Sequence, residues 1–165
     1  MGFELKIFDP ILMQQQRTIN EIVLYNEISS THGLTLTSAE ALELFETRSE
    51  ALKDTELIEL GSGVIGKIIQ EFCDSPYISK ADYANTLNSL VEMFYFYKSD
   101  VENLISDDKL ISHMKAAFNG VCQGSLELLG ETEMLRFTKN IRFGYDEDLW
   151  AEEDVDDDED EYEQY

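Results

Sequence analysis

Apolar residues recur every three or four positions along most of the chain, a spacing typical of helices with one buried side. Residues that favour helix ends divide this pattern into segments. The predicted starts are Asp9-Pro10, Thr37 with Glu40, Gly61–Gly63, Ser79 with Asp82, Ser106–Asp108 and Glu131. The predicted ends are Gly33, Asp74–Pro76 and Gly130, with a bend or break near Gly120 and Gly124. The pattern therefore predicts an all-α bundle of about five to seven helices.

Strand patterns are short and few. Phe3, Leu5 and Ile7 alternate with polar residues, and the segments 34–36 and 57–60 allow at most one short β pairing. The segment Met93–Tyr97 places apolar and aromatic side chains around most of a helix circumference. Such a helix is normally interior, so we expect a central helix here; an aromatic groove for a partner is the alternative.

The C-terminal segment differs in composition from the rest of the chain. Its twenty-one residues, Tyr145 to Tyr165, include thirteen Asp or Glu and no Lys or Arg. So many like charges with few apolar groups predict a disordered tail that is dispensable for folding. We therefore divide the chain into a helical domain, 1–144, and a disordered acidic tail, 145–165.

The charge of the whole chain, −23, limits the classes of partner. Nucleic acids and anionic membranes attract Lys and Arg, so neither is an expected partner. The expected partner is a protein, and a basic protein is the natural counterpart of this charge. The N-terminal segment 1–10 lacks the basic and apolar parts of a secretory signal, and the two cysteines are forty-nine positions apart with no CxxC pair. These features predict a cytoplasmic protein with reduced thiols.

The segment Gly61–Ile68, with sequence GSGVIGKI, matches two phosphate-loop patterns, GxGxxG and GxxxxGK. Ile68 stands where the second pattern needs a Ser or Thr to hold magnesium, and the chain lacks the strands of a nucleotide-binding sheet. A turn leading into a helix N-terminus is the favoured interpretation, and no cofactor is expected.

Three sets of residues resemble metal sites without completing one. Structural zinc ligands come in close sequence pairs, and Cys73, Cys122, His32 and His113 do not. A dinuclear site would need Glu-x-x-His motifs, and the tail lacks the glycine of a calcium loop. No metal is therefore expected. The acidic candidates are Glu40, Glu43, Glu46 and Glu50 on one helix and Asp154, Asp156 and Asp158 in the tail.

Basic residues are concentrated only at the end of the last predicted helix. Arg136, Lys139 and Arg142 are spaced by threes, which places them on one side of the helix. They either stabilise the helix C-terminus or form a strip, the cationic strip, onto which the tail folds back loosely. The predicted interaction residues are the three cations and, in the tail, Asp156, Asp157, Asp158, Glu159 and Asp160.

Several runs of sequence resemble an uncharacterised bacterial family of small acidic proteins whose function is unknown. The resemblance implies a bacterial cytoplasmic origin and brings no catalytic residues. The runs are GLTLT (Gly33–Thr37), ETRSEALK (Glu46–Lys53), FCDSPYIS (Phe72–Ser79), GVCQGSLELL (Gly120–Leu129) and NIRFGY (Asn140–Tyr145).

Three hypotheses for function remain. The favoured one is a non-catalytic protein-protein interaction module that uses its acidic surface and tail, because no catalytic constellation is complete. The second is a small-ligand-binding or enzymatic helical protein with a site in the bundle cavity. The third is an anionic nucleic-acid mimic. The candidate cavity residues of the second are Tyr83, Tyr95, Tyr97, His113 and Cys122.

Overall fold

The computed structural model describes residues 10–53, 55, 59–101 and 104–144. Six helices have nine residues or more, which confirms the predicted all-α class and helix number; no strand occurs among these residues. None of the helices in the described ranges is long and apolar enough to cross a membrane. The elements are α1 (Pro10–Leu24), α2 (Asn26–Ser29), a 3-10 turn (Ser30–His32), α3 (Ser38–Leu52), α4 (Gly63–Phe72), α5 (Tyr83–Val101), α6 (Asp107–Asn119), α7 (Leu126–Leu128), a π-helix (Leu129–Glu133) and α8 (Met134–Arg142).

Most helix ends form as their local sequences predict. The Thr37 hydroxyl accepts the Glu40 N–H at 3.1 Å, and the Glu40 carboxylate accepts the Thr37 N–H at 2.9 Å, completing a capping box. Ser106 caps α6 by accepting the Lys109 N–H at 3.1 Å. Gly33, with φ of 80°, ends the first helical region. These short-range bonds satisfy helix-end groups without help from the rest of the fold.

The segment 34–36 does not pair as a strand. Leu34 and Leu36 are buried in the core, and the Asn26 side chain bonds both backbone groups of Leu36, at 2.8 and 2.9 Å. Asn26 therefore supplies the hydrogen bonds that a neighbouring strand would otherwise provide. Residues 3–7 and 57–58, which carried the other strand patterns, lie outside the described residues.

The expectation that Gly130 ends a helix is wrong. The helical run continues from α7 through the π-helix into α8. The Tyr97 hydroxyl donates to the Gly130 carbonyl, so this backbone group is bonded where the helix widens. A Cβ at Gly130 would lie 3.2 Å from Cε of Met93, which explains why a residue without a side chain fits against α5.

The central helix is α5, as the aromatic segment predicts. It contacts α3, α4, α6, α7 and α8. Leu87, Leu90 and Val91 are fully buried in the core, and Phe94 is 1% exposed. Among the large apolar side chains of this helix, Phe96 differs because 63% of it is exposed to solvent. One side of the central helix therefore faces outward.

Candidate functional site

A groove of about 1810 Å³ runs along the outward side of α5. Side chains of α3 line it, as do residues of α7 and the π-helix. We call it the acidic groove because eight carboxylate residues lie in its lining. They are Glu43, Glu46, Glu50, Glu59, Glu92, Asp107, Glu127 and Glu131.

Helix geometry places these acids together. Glu43, Glu46 and Glu50 follow one another at three- and four-residue steps and share a side of α3. Ala41 and Leu44 lie on the opposite side of this helix and are buried. The groove therefore uses three glutamates of the acidic run recognised in the sequence, whereas Glu40 belongs to the capping box.

Most of the negative charge in the groove is not neutralised. Among the residues that the structure describes, Lys98 is the only basic one in the lining, and its Nζ lies 2.8 Å from a carboxylate oxygen of Asp107. Glu59 pairs with Arg48 at 3.2 Å, and Glu50 pairs with Lys53 at 3.8 Å. Removing these three from the eight leaves five acids, all exposed, with no ion pair to any residue that the structure describes. They are Glu43, Glu46, Glu92, Glu127 and Glu131.

The hydroxyls of the two groove tyrosines donate hydrogen bonds to other residues of the chain. Tyr95 donates to a carboxylate oxygen of Glu59 at 2.6 Å, and Tyr97 donates to the Gly130 carbonyl. Burial, followed by the contact with Glu59, raises the pKa of Tyr95 well above its usual value. Burial also raises the pKa of Tyr97. Neither hydroxyl is therefore poised to exchange a proton near neutral pH.

An ion pair between a buried arginine and a partly buried glutamate supports the floor of the groove. The Arg48 side chain is 3% exposed, and its guanidinium donates to Glu59 and to the carbonyls of Gly61 and Ser62, at 2.9 to 3.2 Å. Glu59 also accepts the Val64 N–H at 3.0 Å. Arg48 is not among the site residues that the sequence predicts. The available signal was its position four residues after Leu44, on the apolar side of α3.

The chain's own carboxylates occupy the glycine-rich segment that matches phosphate-loop patterns. The Ser62 N–H donates to Glu21 at 2.9 Å, and the Val64 N–H donates to Glu59. A phosphate would have to displace these carboxylates. The segment is thus a turn into the N-terminus of α4, as its sequence favoured, and internal anions bind its amides.

Each glycine of this segment also has a packing role. Gly61 and Gly63 have φ of 64° and 45°, a region that other residues rarely adopt. A Cβ at Gly66 would lie 2.5 Å from the Tyr25 hydroxyl oxygen. The GxGxxG spacing is therefore explained by the turn and by close packing against α1 and its following residue.

The cysteines and histidines occupy separate environments. Cys73 and Cys122 are free and buried, and burial raises the pKa of both thiols. His32 is exposed, whereas His113 stacks on Phe137 with ring centroids 3.7 Å apart. Burial, and then the charge of Arg136, lower the pKa of His113 to about 4. Within the described ranges, no three side chains of metal-binding type converge.

The five candidate cavity residues do not share one site. Tyr95 and Tyr97 line the acidic groove, whereas Tyr83, His113 and Cys122 are not part of its lining. Tyr83 is 2% exposed, and burial raises its pKa to about 12. The groove therefore lacks the histidine and the cysteine that a nucleophilic or acid-base site of this set would use.

The cationic strip lies on the solvent side of α8. Arg136, Lys139 and Arg142 are exposed, and Arg136 bonds the Glu133 carboxylate at 3.1 Å. Gly144, with φ of 87°, turns the backbone just after this helix. The five predicted tail residues, 156–160, and the predicted disorder of the tail lie outside the described residues.

The chain is similar to a known protein family. Residues 21–147 match a family of unknown function, DUF6323, and this range covers α2 to α8 and the last turn of α1. Comparisons with curated proteins and with solved structures found no match.

Proposed function

Because the chain belongs to DUF6323, whose function is unknown, we propose its role from geometry: it is a non-catalytic protein-interaction module. Its acidic groove binds a basic segment of a partner protein. The observation that supports this proposal is the set of five exposed carboxylates around one groove that form no ion pair within the described part of the chain. Positive charges on the partner would be attracted to these carboxylates at a distance, and they would fix the position of the partner segment along the groove.

The dimensions of the groove favour a protein segment over a small ligand. Pockets for small molecules usually have volumes of roughly 300 to 1000 Å³, and this groove has about 1810 Å³. The lining of α5 extends from Asn85 to Ser99, about 21 Å of helix at 1.5 Å per residue. A peptide of about four helical turns spans that length.

The two other hypotheses fit the geometry less well. An enzyme would need a proton-transfer group or nucleophile that neighbouring residues orient. The two tyrosine hydroxyls of the groove are bonded internally, and its five acids that form no ion pair with the described residues are exposed to solvent. A nucleic-acid mimic would present its carboxylates on an outward surface that enters another protein's binding cleft. Here the unpaired carboxylates surround a groove, which suits a site that receives a partner.

The acidic tail extends the same electrostatic role in this proposal. Its thirteen acids add to the field of the groove, and such a field increases the association rate of a basic partner. We also propose a bacterial cytoplasmic location. Two buried free thiols, Cys73 and Cys122, are consistent with a reducing compartment.

The test is affinity capture from cytoplasm of the source cell, followed by mass spectrometry. The baits are the full chain, a chain ending at Gly144, the groove variant Glu46→Gln/Glu131→Gln and the control Glu27→Gln/Asp74→Asn. The control removes the same charge from exposed residues outside the groove lining. Captured proteins are then purified, and their affinities for each bait are measured.

We expect a basic protein that binds the full chain and the control but binds the groove variant at least about fivefold more weakly, because two charge contacts are lost. Tail removal should slow association and leave dissociation nearly unchanged. Equal affinity of the groove variant and the control for every captured protein would contradict the proposal.

A further inference from the structure

We infer that the acidic groove selects arginine over lysine: a helical basic segment of the partner places a guanidinium on Phe96 and pairs it with Glu92. This inference rests on the proposed function and names the chemistry of the partner. It starts from Phe96, which is 63% exposed and lies on the outward side of α5. Its ring makes a T-shaped contact with the Tyr97 ring, with centroids 4.9 Å apart, and this contact leaves most of Phe96 exposed to solvent.

Glu92 and Phe96 are neighbours on the groove side of α5. They are four residues apart, which places their Cβ atoms about 5 to 6 Å apart on the helix surface. Helical side chains lean towards the N-terminus, and Glu92 lies in that direction from Phe96. Glu92 is exposed and forms no ion pair with the residues that the structure describes. A carboxylate and an aromatic ring are therefore both available at one point of the groove.

Arginine matches this pair of groups better than lysine does. Its planar guanidinium stacks on an aromatic face and, at the same time, donates two parallel hydrogen bonds to a carboxylate. A lysine ammonium is compact and strongly hydrated, and it provides charge without the planar fit. The other four unpaired acids attract either cation equally, so Phe96 with Glu92 is the place where the two are distinguished.

The occupant is a segment of another protein and not a second copy of this chain. Each chain carries a net charge of −23, which opposes the approach of an identical chain to an acidic groove. Apolar groove residues, Met93 and Leu126 among them, contact the apolar side of an amphipathic helix. A basic amphipathic helix of about fourteen residues therefore complements both the charge and the length of the groove.

The test uses two synthetic helical peptides of fifteen residues that are rich in alanine and leucine. One carries four arginines at three- and four-residue steps, and its twin carries four lysines at the same positions. Affinities are measured by calorimetry with the full chain, Phe96→Leu, Glu92→Gln and the control Phe143→Leu. Phe143 is a matched control because it is 67% exposed and lies outside the groove lining.

We expect the arginine peptide to bind the full chain about two- to fivefold more tightly than its twin, as an exposed cation–π contact predicts. The preference should disappear in Phe96→Leu, fall in Glu92→Gln and persist in Phe143→Leu. Equal binding of both peptides, with a loss in Glu46→Gln/Glu131→Gln, would overturn the arginine inference and leave the proposed function standing. If Glu46→Gln/Glu131→Gln binds the peptides as tightly as the original chain does, both the arginine inference and the proposed function are contradicted. A dimer of the chain that the peptides dissociate would overturn the assignment of the occupant.

Discussion

The Tyr95 hydroxyl donates a 2.6 Å hydrogen bond to the Glu59 carboxylate, which joins the central helix α5 to the segment before α4. Arg48 adds α3 to the same cluster through its ion pair with Glu59. The three residues come from three parts of the chain and meet beneath the acidic groove. Because Tyr95 and Glu59 also line the groove, the cluster holds its floor in one arrangement.

Replacing Arg48 tests the importance of this cluster for stability. Arg48→Met should lower the free energy of unfolding by about 3 kcal/mol, because a partly buried carboxylate and two carbonyls lose their donor. Urea unfolding measures the effect. The control is Lys53→Met, which breaks an exposed pair with Glu50 and should cost no more than about 1 kcal/mol. Similar losses in both variants would mean that the Arg48 pair is no more important than a surface contact.

Gly66 tests the packing explanation of the glycine-rich segment. In most helix interiors Gly→Ala stabilises by about 1 kcal/mol, but here the new Cβ meets the Tyr25 ring at 2.5 to 2.7 Å. We expect Gly66→Ala to destabilise by about 1 to 3 kcal/mol in thermal or urea unfolding. In a Tyr25→Ala background the same change should be neutral or stabilising. If Gly66→Ala is as stable as the original chain, close packing does not explain this glycine.

The buried histidine predicts a dependence of stability on pH. His113 has a folded pKa of about 4, against its usual 6.5. As pH falls from 6.5 to 4 the unfolded chain binds this proton and the folded chain does not, so the free energy of unfolding falls by up to about 3 kcal/mol. His113→Phe keeps the stack on Phe137 and removes the proton. The stability of the original chain relative to this variant should therefore decrease over that pH range; a constant difference would contradict the assignment.

Interactions between residues close in the sequence could be predicted, whereas interactions between distant residues could not. The Thr37–Glu40 box and the Ser106 cap connect residues three positions apart, and both formed as expected. The pair Tyr95 and Glu59 is separated by thirty-six positions, so no local pattern indicates it. The groove likewise depends on how the sides of α3, α5 and α7 meet. Sequence therefore located the acids of α3 without showing that Glu127 and Glu131 lie around the same groove.

The prediction that the tail folds back onto the cationic strip has a direct fluorescence test. Trp150, the single tryptophan, lies in the tail, eight positions after Arg142. If the tail contacts the strip, raising salt above physiological strength should lower the anisotropy of Trp150, because exposed ion pairs are weak and screened. Arg136→Gln/Lys139→Gln/Arg142→Gln should have the same effect. If neither raised salt nor the triple variant changes the emission and anisotropy of Trp150, these cations only stabilise the end of α8.

The most direct test of the acidic groove as the binding site is a titration of the isotope-labelled chain with the arginine peptide, followed by backbone amide chemical shifts. The proposal predicts that the largest changes lie on the groove sides of α3, α5 and α7, around Glu46, Glu92 and Glu127. It also predicts that Glu46→Gln/Glu131→Gln weakens these changes at equal peptide concentration, whereas Glu27→Gln/Asp74→Asn does not. Shifts confined to α1 or to the outer side of α6, with the groove amides unchanged, would contradict the account.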